Sequence, residues 1–246
     1  TLEGTGQSLY LDGGDGVDRL NATGYLNAGG VTTYVQHGSA TLVGGAGDEG
    51  YYEYESWNGS NYVMVGYYGE GLTASYLENA LLQGSDGRDT LSVQYTKNAT
   101  LEGGAGQDNL QAYVYGYYGA TKTGAGYGTN YSLDGGADDD TLAVTGSSYT
   151  SYGLTNLSLE GGTGNDTLSV SDSSFGNNNG AIVTALLSGG TGDDRLTASG
   201  VLELTMSGGE GSDTFVLTAQ QYKAVLASYQ FRTQQGTEEN NWDDGY

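Results

Sequence analysis

The sequence predicts an all-β fold, a parallel β-solenoid whose short coils stack on one another and end in a short C-terminal helix. Two observations carry this prediction. A six-residue Gly-Asp turn recurs eight times, and apolar residues lie two positions before and two positions after each copy. Apolar residues at every second position are typical of strands with one buried face. A strand this short cannot bury its face alone, so neighbouring units must stack.

The turns follow the pattern Gly-Gly-x-Gly-x-Asp. The eight copies are 13–18 (GGDGVD), 44–49 (GGAGDE), 84–89 (GSDGRD), 103–108 (GGAGQD), 135–140 (GGADDD), 161–166 (GGTGND), 189–194 (GGTGDD) and 208–213 (GGEGSD). The apolar residues before them are Leu11, Leu42, Leu82, Leu101, Leu133, Leu159, Leu187 and Met206, and those after them are Leu20, Tyr51, Leu91, Leu110, Leu142, Leu168, Leu196 and Phe215.

The spacing of the turns predicts one constant edge and one variable edge. Successive turns end 19 to 40 residues apart, and a spacing of 19 allows a single short coil. We therefore expect the longer spacings to add loops or extra strands at the edge opposite the turns. The solenoid should span residues 1–217. Residues 218–246 should form a capping helix, over 219–232 where apolar residues recur at helical spacing, and a polar tail.

Composition excludes several classes of function. The 246 residues carry a net charge of −23, which disfavours nucleic acid and anionic membrane surfaces as partners, and no apolar run is long enough to span a bilayer. There is no cysteine for a disulfide or thiol site, and the single histidine, His37, belongs to no recognisable catalytic motif. We therefore predict no catalytic residue and no enzyme activity.

Glycine and aspartate in this order suit a calcium site. Calcium takes six to eight oxygen ligands from carboxylates and backbone carbonyls. Glycines let the backbone curl so that successive carbonyls point to one side, and the aspartate adds a charged ligand. One turn supplies about half of such a shell, so an ion between two stacked turns would complete its shell from both.

The segments GGTGNDTLSV, GGTGDDRL and GGEGSDTFVL resemble repeats-in-toxin (RTX), or hemolysin-type, calcium-binding repeats. The resemblance covers the eight turns across residues 12–217. It implies a parallel β-roll in which the terminal carboxylates and the carbonyls of the glycine-rich stretch bind calcium between neighbouring coils.

By this resemblance the carboxylate ligands are Asp18, Glu49, Asp89, Asp108, Asp140, Asp166, Asp194 and Asp213. The carbonyl ligands come from Gly13, Gly14, Asp15, Gly16, Gly44, Ala46, Gly84, Asp86, Gly103, Gly104, Ala105, Gly106, Gly135, Ala137, Gly161, Gly162, Thr163, Gly164, Gly189, Gly190, Thr191, Gly192, Gly208, Gly209, Glu210 and Gly211. Glu49, Ser85 and Asp138 depart from the motif and predict weaker or reshaped sites. Eight turns would enclose about seven ions, which would offset about +14 of the charge.

Three functions remain open on sequence grounds. The main hypothesis is a calcium-dependent structural or adhesive module, secreted or at a bacterial cell surface, in a surface layer, sheath, filament or adhesin. The alternative is the calcium-binding C-terminal domain of a type I secreted enzyme, and the third is a glycan- or ice-binding solenoid. Partner contacts, to another copy of the chain or to a cell-surface polymer or glycan, are expected at Trp57, Tyr67, Tyr68, Tyr117 and Tyr118. Asn-x-Ser/Thr triplets, which accept glycans in a competent host, begin at Asn21, Asn58, Asn98, Asn130, Asn156 and Asn165. In a chain this rich in Asn, Ser and Thr, most such triplets are expected by chance.

Overall fold

The computed structural model describes residues 2–5, 8–23, 25–28, 31–34, 39–47, 51–57, 62–68, 71–115, 130–147, 156–172, 182–218 and 230–231. These residues form strands and turns, and none of them is helical. None of the described segments is therefore a helix that could cross a membrane.

The strands follow one another in short coils. They are β1 (Leu2–Thr5), β2 (Ser8–Asp12), β3 (Leu20–Thr23), β4 (Tyr25–Ala28), β5 (Val31–Tyr34), β6 (Ser39–Val43), β7 (Tyr51–Trp57), β8 (Tyr62–Tyr68), β9 (Leu72–Ser75), β10 (Asn79–Asp86), β11 (Thr90–Gln94), β12 (Asn98–Ala105), β13 (Asn109–Tyr115), β14 (Asn130–Ala137), β15 (Thr141–Ser147), β16 (Asn156–Thr163), β17 (Thr167–Asp172), β18 (Ile182–Thr191), β19 (Arg195–Ser199), β20 (Val201–Glu210), β21 (Thr214–Thr218) and β22 (Gln230–Phe231).

Two nine-stranded parallel sheets contain all but four of these strands. Sheet A has the order β1-β3-β9-β11-β13-β15-β17-β19-β21, and sheet B has the order β2-β6-β10-β12-β14-β16-β18-β20-β22. The chain alternates between the sheets, with the Gly-Asp turns leading from sheet B to sheet A. The remaining strands form two antiparallel hairpins, β4–β5 and β7–β8. The predicted all-β parallel solenoid, with its turns stacked along one edge, is confirmed.

The core lies between the sheets and consists of the apolar rows that the sequence pattern predicts. In sheet B, Leu82 pairs in register with Leu42 and Leu101, and the row continues along the stack. In sheet A, Leu91 pairs with Leu72 and Leu110 in the same way. These leucines are completely buried. Because each rung repeats the one before it, every coil covers the apolar face of its neighbour.

The variable edge is only partly where the spacing predicted it. Hairpin β4–β5 follows sheet A, opposite the turns, as expected. Hairpin β7–β8 instead follows the second turn directly, so an insertion also leaves from the glycine edge. Tyr51 therefore does not continue the inner row of sheet A. Leu72 does, because it pairs with both Leu20 and Leu91. The sequence pattern predicted Tyr51 as the inner-row residue after the second turn, and this prediction is wrong because Leu72 takes that position.

The two shortest coils show how the edge opposite the turns is closed without a long loop. Tyr76 and Tyr95 take left-handed φ values of 57° and 51° at equivalent corners. Their rings stack with centroids 4.6 Å apart. The spacing of 19 residues thus corresponds to one complete coil.

Tyr131, which ends a segment rich in tyrosine and glycine, is a core residue. Its hydroxyl donates a 2.5 Å hydrogen bond to the Thr96 carbonyl.

The predicted capping helix is not shown. Most of its residues, 219–229 and 232, lie outside the described residues. Gln230 and Phe231, also within the predicted helix, form β22 and pair with Thr205 and Met206 of β20. At these two residues the helical prediction is wrong, since unpaired edge backbone of β20 offers hydrogen bonds that a strand can complete. The proposed division at residues 217 and 218 stays a prediction.

Candidate metal centre

The Gly-Asp turns stack so closely that side chains are excluded between them. Gly190 has a φ of 114°, a conformation that disfavours any residue with a Cβ. A Cβ at this position would overlap the carbonyl oxygen of Gly162 in the preceding turn. The same overlap recurs at the second glycine of other stacked turns. Glycine is therefore required both by the backbone conformation and by the distance between coils.

The terminal aspartates form a ladder along the turn edge. The backbone N–H of Asp108 donates to Oδ1 of Asp140 at 2.7 Å, and that of Asp140 donates to Oδ1 of Asp166 at 2.8 Å. The ladder starts at Asp89 and continues through Asp194 to Asp213, with bonds of 2.8 to 3.1 Å. These six aspartates are 0 to 4% exposed. Each carboxylate from Asp108 onward thus reaches back to the preceding coil through one of its oxygens.

Four carboxylates of this ladder have a second oxygen that no described residue contacts as a hydrogen-bond donor. Oδ2 of Asp108, Asp140, Asp166 and Asp194 is buried and accepts no hydrogen bond from any described residue. A buried carboxylate oxygen without a partner is costly, because it has lost water and gained nothing in return. Four such atoms in register indicate a cation as the missing partner.

Carbonyl oxygens of the next coil converge on the same places. A Cβ built on Gly161 would be in contact with Oδ2 of Asp166 and would lie 2.5 Å from the carbonyl oxygen of Gly189. A Cβ on Gly103 would likewise meet Oδ2 of Asp108 and the carbonyl oxygen of Gly135. A Cβ on Gly135 would meet Oδ2 of Asp140 and the carbonyl oxygen of Gly161. A carboxylate oxygen of one turn and a carbonyl oxygen of the next turn therefore face each other at each level. The missing Cβ keeps that space open.

Burial makes these carboxyls hard to ionise without a cation. The pKa of Asp108 is raised to about 8, chiefly by desolvation and also by the charges of Asp89, Asp140 and Asp138, while the hydrogen bond from the Asp89 backbone lowers it. The same causes, desolvation first, raise the pKa of Asp140 to about 7 and that of Asp194 to about 6. A divalent cation beside these oxygens would remove the penalty.

The available donors fit a hard cation bound largely by backbone. No group of three or more His, Cys, Asp or Glu side chains with metal-binding geometry occurs in the described part of the chain. Carboxylates alone therefore do not make the shell, and carbonyls must supply most of it. One carboxylate with several carbonyls is an all-oxygen set of the kind calcium accepts, whereas zinc and copper prefer nitrogen and sulfur.

The model of the RTX calcium-binding nonapeptide repeat, in four copies, matches residues 158–173 and 186–200. The chain contains RTX calcium-binding repeats. The matched segments include the turns at 161–166 and 189–194. The turns at 84–89, 103–108, 135–140 and 208–213 join the same aspartate ladder. RTX repeats bind calcium and are typical of secreted, extracellular proteins. No curated protein and no solved structure matches the chain.

The structure places most of the predicted site residues on this edge. Asp18 belongs to the first turn, where Oδ2 of Asp18 and the Gly44 carbonyl oxygen lie 2.8 and 2.7 Å from a Cβ built on Gly13. Ser85 and Asp138 keep left-handed φ values of 113° and 76° where other copies have glycine. The backbone of the turn therefore keeps the same conformation at Ser85 and Asp138, and these two residues are strained because they carry a Cβ.

Several predicted residues are not tested. Glu49, His37, Tyr117 and Tyr118 lie outside the described residues. Trp57, Tyr67 and Tyr68 lie on the backbone of hairpin β7–β8, where Trp57 pairs with Tyr62, and Tyr52 and Tyr51 pair with Tyr67 and Tyr68.

The sequence pattern did not predict a second ladder of hydrogen bonds, which joins the residues at the fifth position of the motif in successive turns. Oδ1 of Asp139 accepts a 2.6 Å bond from the Asn165 backbone N–H, Oδ1 of Asn165 accepts from Asp193, and Oδ1 of Asp193 accepts from Ser212. This ladder is exposed and reaches forward, toward the next coil, whereas the terminal aspartates reach back. The signal was a short polar residue at the fifth position of the last four copies, which the motif writes only as x.

Proposed function

We propose that this chain is a calcium-dependent structural or adhesive module, acting at or near a bacterial cell surface in an assembly such as a surface layer, sheath, filament or adhesin. The observation that carries the proposal is the aspartate ladder, whose buried unpartnered oxygens lie opposite carbonyls of the next coil. Such a stack is a regular, rigid rod only while its buried charges are neutralised.

The calcium ligands are assigned residue by residue from this geometry. The terminal aspartates from Asp89 to Asp194 supply one carboxylate oxygen per space, and the first-position glycine of the next turn supplies a carbonyl oxygen. Asp213 belongs to the last of the eight turns and closes the ladder. Five spaces lie between these six aspartates. Two more flank the second turn, so that about seven ions bind in all. The ion between the second and third turns binds more weakly, because Glu49 replaces aspartate there.

Calcium is proposed to control when the chain folds. At submicromolar calcium the chain keeps its charge of −23, and the stacked carboxylates repel one another. At the millimolar concentrations outside cells, modules of this kind fill their sites, so that binding free energy becomes folding free energy. The chain would then remain unfolded inside the cell and fold after export.

Hairpin β7–β8 is the proposed contact arm for self-association. It is a separate two-stranded sheet, with Trp57, Tyr51 and Tyr68 at register positions of one face and Tyr67 at the other. A two-stranded hairpin is marginally stable by itself, so this ribbon gains most from packing against another surface. A second copy of the chain offers such a surface.

A calcium titration tests the proposal, with magnesium as the matched divalent control. Strand signal in far-ultraviolet circular dichroism should appear at about 10⁻⁴ to 10⁻³ M calcium and not with the same concentration of magnesium. Sedimentation velocity should show larger species only in the folded form. Strand signal that survives chelation at pH 8, where the carboxyls of the ladder are ionised in the unfolded chain, would exclude calcium-dependent folding. A folded monomer at high protein concentration would instead favour a calcium-binding domain of a secreted enzyme.

A further inference from the structure

The outer face of sheet B carries a continuous row of one hydroxyl and four amide side chains, here called the Asn row: Ser39, Asn79, Asn98, Asn130 and Asn156. Nδ2 of Asn98 donates to Oδ1 of Asn79 at 2.9 Å, Nδ2 of Asn130 donates to Oδ1 of Asn98 at 3.0 Å, and Asn156 donates to Asn130 at 2.9 Å. Asn79 donates to the Ser39 hydroxyl at 3.1 Å. Four amides on consecutive strands are thus held in one orientation by hydrogen bonds that end at the Ser39 hydroxyl.

Hydroxyls run parallel to this row, two residues further along each strand. Thr41, Thr100, Ser132 and Ser158 occupy these positions, with Leu81 among them. This explains the Asn-x-Ser/Thr triplets at Asn98, Asn130 and Asn156, whose middle residue points into the core. The triplets follow from the strand period of two, with amide and hydroxyl on the same outer face.

A groove of about 350 Å³ lies between the two rows. Its walls include Asn79, Leu81, Asn98, Thr100, Asn130 and Ser132. A primary amide has two N–H donors and an oxygen with two acceptor sites, and the ladder uses one donor of each asparagine. Asn79, Asn130 and Asn156 therefore each keep an N–H that no described residue accepts. The groove offers repeated donors and acceptors beside one apolar contact at Leu81.

The charge beside the groove restricts what can enter. The next row toward the turn edge contains Gln83, Glu102, Asp134 and Glu160, which are paired in register. Burial, and the charges of Glu160 and Glu102 on the neighbouring strands, raise the pKa of Asp134. Anionic polymers such as polyuronates or nucleic acids would be repelled from this face.

We propose that the groove along the Asn row binds a neutral, hydroxyl-rich polysaccharide chain, which lies across strands β6, β10, β12 and β14. Sugar hydroxyls both donate and accept, which matches amides and hydroxyls that present both functions at every coil. A polymer repeats its groups along its length, as the row does, so weak contacts at single coils add up. This inference rests on the proposed adhesive role and names the ligand class of that role.

The test is binding of the calcium-loaded protein to an array of neutral, amino-sugar and uronate oligosaccharides, followed by calorimetry with the best neutral oligosaccharide. We expect binding to neutral oligosaccharides and none to uronates. Thr100→Trp should fill the groove without removing an amide and should weaken binding about tenfold or more. Thr197→Trp is the matched control, since Thr197 lies on the outer face of sheet A and should leave binding unchanged.

Circular dichroism in calcium is recorded for every variant, so that folding and glycan binding are read separately. A folded protein that binds no neutral oligosaccharide overturns this inference and leaves the proposed calcium-dependent fold intact. Binding that Thr100→Trp does not weaken also overturns it, as does equal binding of uronates or binding of amino sugars alone. Loss of calcium-dependent folding in the unmodified chain would instead overturn the proposed function.

Discussion

At the scale of single residues, neighbouring aspartates in one turn have different surroundings. Asp194 is buried in the ladder of terminal aspartates, and its Oδ1 accepts from the Asp166 backbone. Asp193 is exposed, and its Oδ1 accepts from the Ser212 backbone. Replacing either residue by asparagine removes one negative charge. Comparing the two variants therefore distinguishes the effect of the buried carboxylate from the effect of the net charge of the chain.

Asp194→Asn should remove a charged ligand and keep the Oδ1 acceptor. We expect the calcium-bound protein to lose about 2 kcal/mol of stability and roughly one bound ion, because a buried charge-assisted contact is lost. Asp193→Asn changes the net charge equally and should keep the wild-type stoichiometry. Equilibrium dialysis and urea unfolding in calcium measure both quantities. Equal losses in the two variants would contradict the assigned ligand.

The second glycine of a turn allows a similar comparison. Gly190 and Gly14 both have a positive φ, but a Cβ at Gly190 would overlap the Gly162 carbonyl, whereas one at Gly14 would meet nothing within 4 Å. Gly14→Ala should therefore cost about 1 kcal/mol of stability from backbone strain, and Gly190→Ala more than about 3 kcal/mol because coils must also separate. Urea unfolding in calcium measures the difference. Similar costs would mean that the coils are not packed this closely.

At the scale of elements, the buried carboxyls of the turn edge make stability depend on pH. Asp108, Asp140 and Asp194 have pKa values raised to about 8, 7 and 6 in the folded chain without calcium. An unfolded chain releases these protons near the ordinary value of 3.8. The folded state therefore binds more protons between about pH 4 and pH 8, and stability falls as pH rises through that window.

The calcium-free chain should consequently be more stable at pH 5 than at pH 8, since protons then neutralise the ladder in place of calcium. Chelated protein, unfolded at pH 8, should gain strand signal in far-ultraviolet circular dichroism as the pH is lowered to 5. In the double variant Asp108→Asn, Asp140→Asn this dependence should become shallower, which separates the ladder from the general loss of negative charge. A calcium-free chain that becomes less stable on acidification to pH 5 would contradict the buried carboxylate ladder.

The hairpins are the elements that the sequence described least well. Insertions of very different length leave the solenoid after turn 44–49 and after strand β3, yet the inner rows continue in register through Leu20, Leu72 and Leu91. An insertion whose ends lie close together adds little loop-closure cost, so the stack tolerates it at either edge. The turn spacing therefore gave the number of inserted residues but not the edge from which they leave.

At the scale of the whole molecule, stability is distributed along one dimension. Each coil pairs only with the coils before and after it in its sheet, so the energy of the stack is a sum of similar interfaces. Calcium between turns would add to every interface at the turn edge. The proposed folding on export therefore depends on the whole ladder and not on one ion site.

Sequence by itself determined the solenoid, the inner leucine rows and the identity of the turn edge. These depend on local rules, namely the strand period of two and the need for glycine where φ is positive. The recurring terminal aspartate likewise pointed to a cation site before any coil was placed.

Only the tertiary structure decided which groups meet between coils. It showed that carboxylate oxygens of one turn lie opposite carbonyls of the next, that Leu72 replaces Tyr51 in the core, and that Asn98, Asn130 and Asn156 form one row. These contacts join residues 14 to 52 positions apart, from Asp194 with Gly208 to Leu20 with Leu72, with insertions of irregular length between them. Register between such segments is set by side-chain packing and hydrogen bonding across coils, which no local pattern in the sequence specifies.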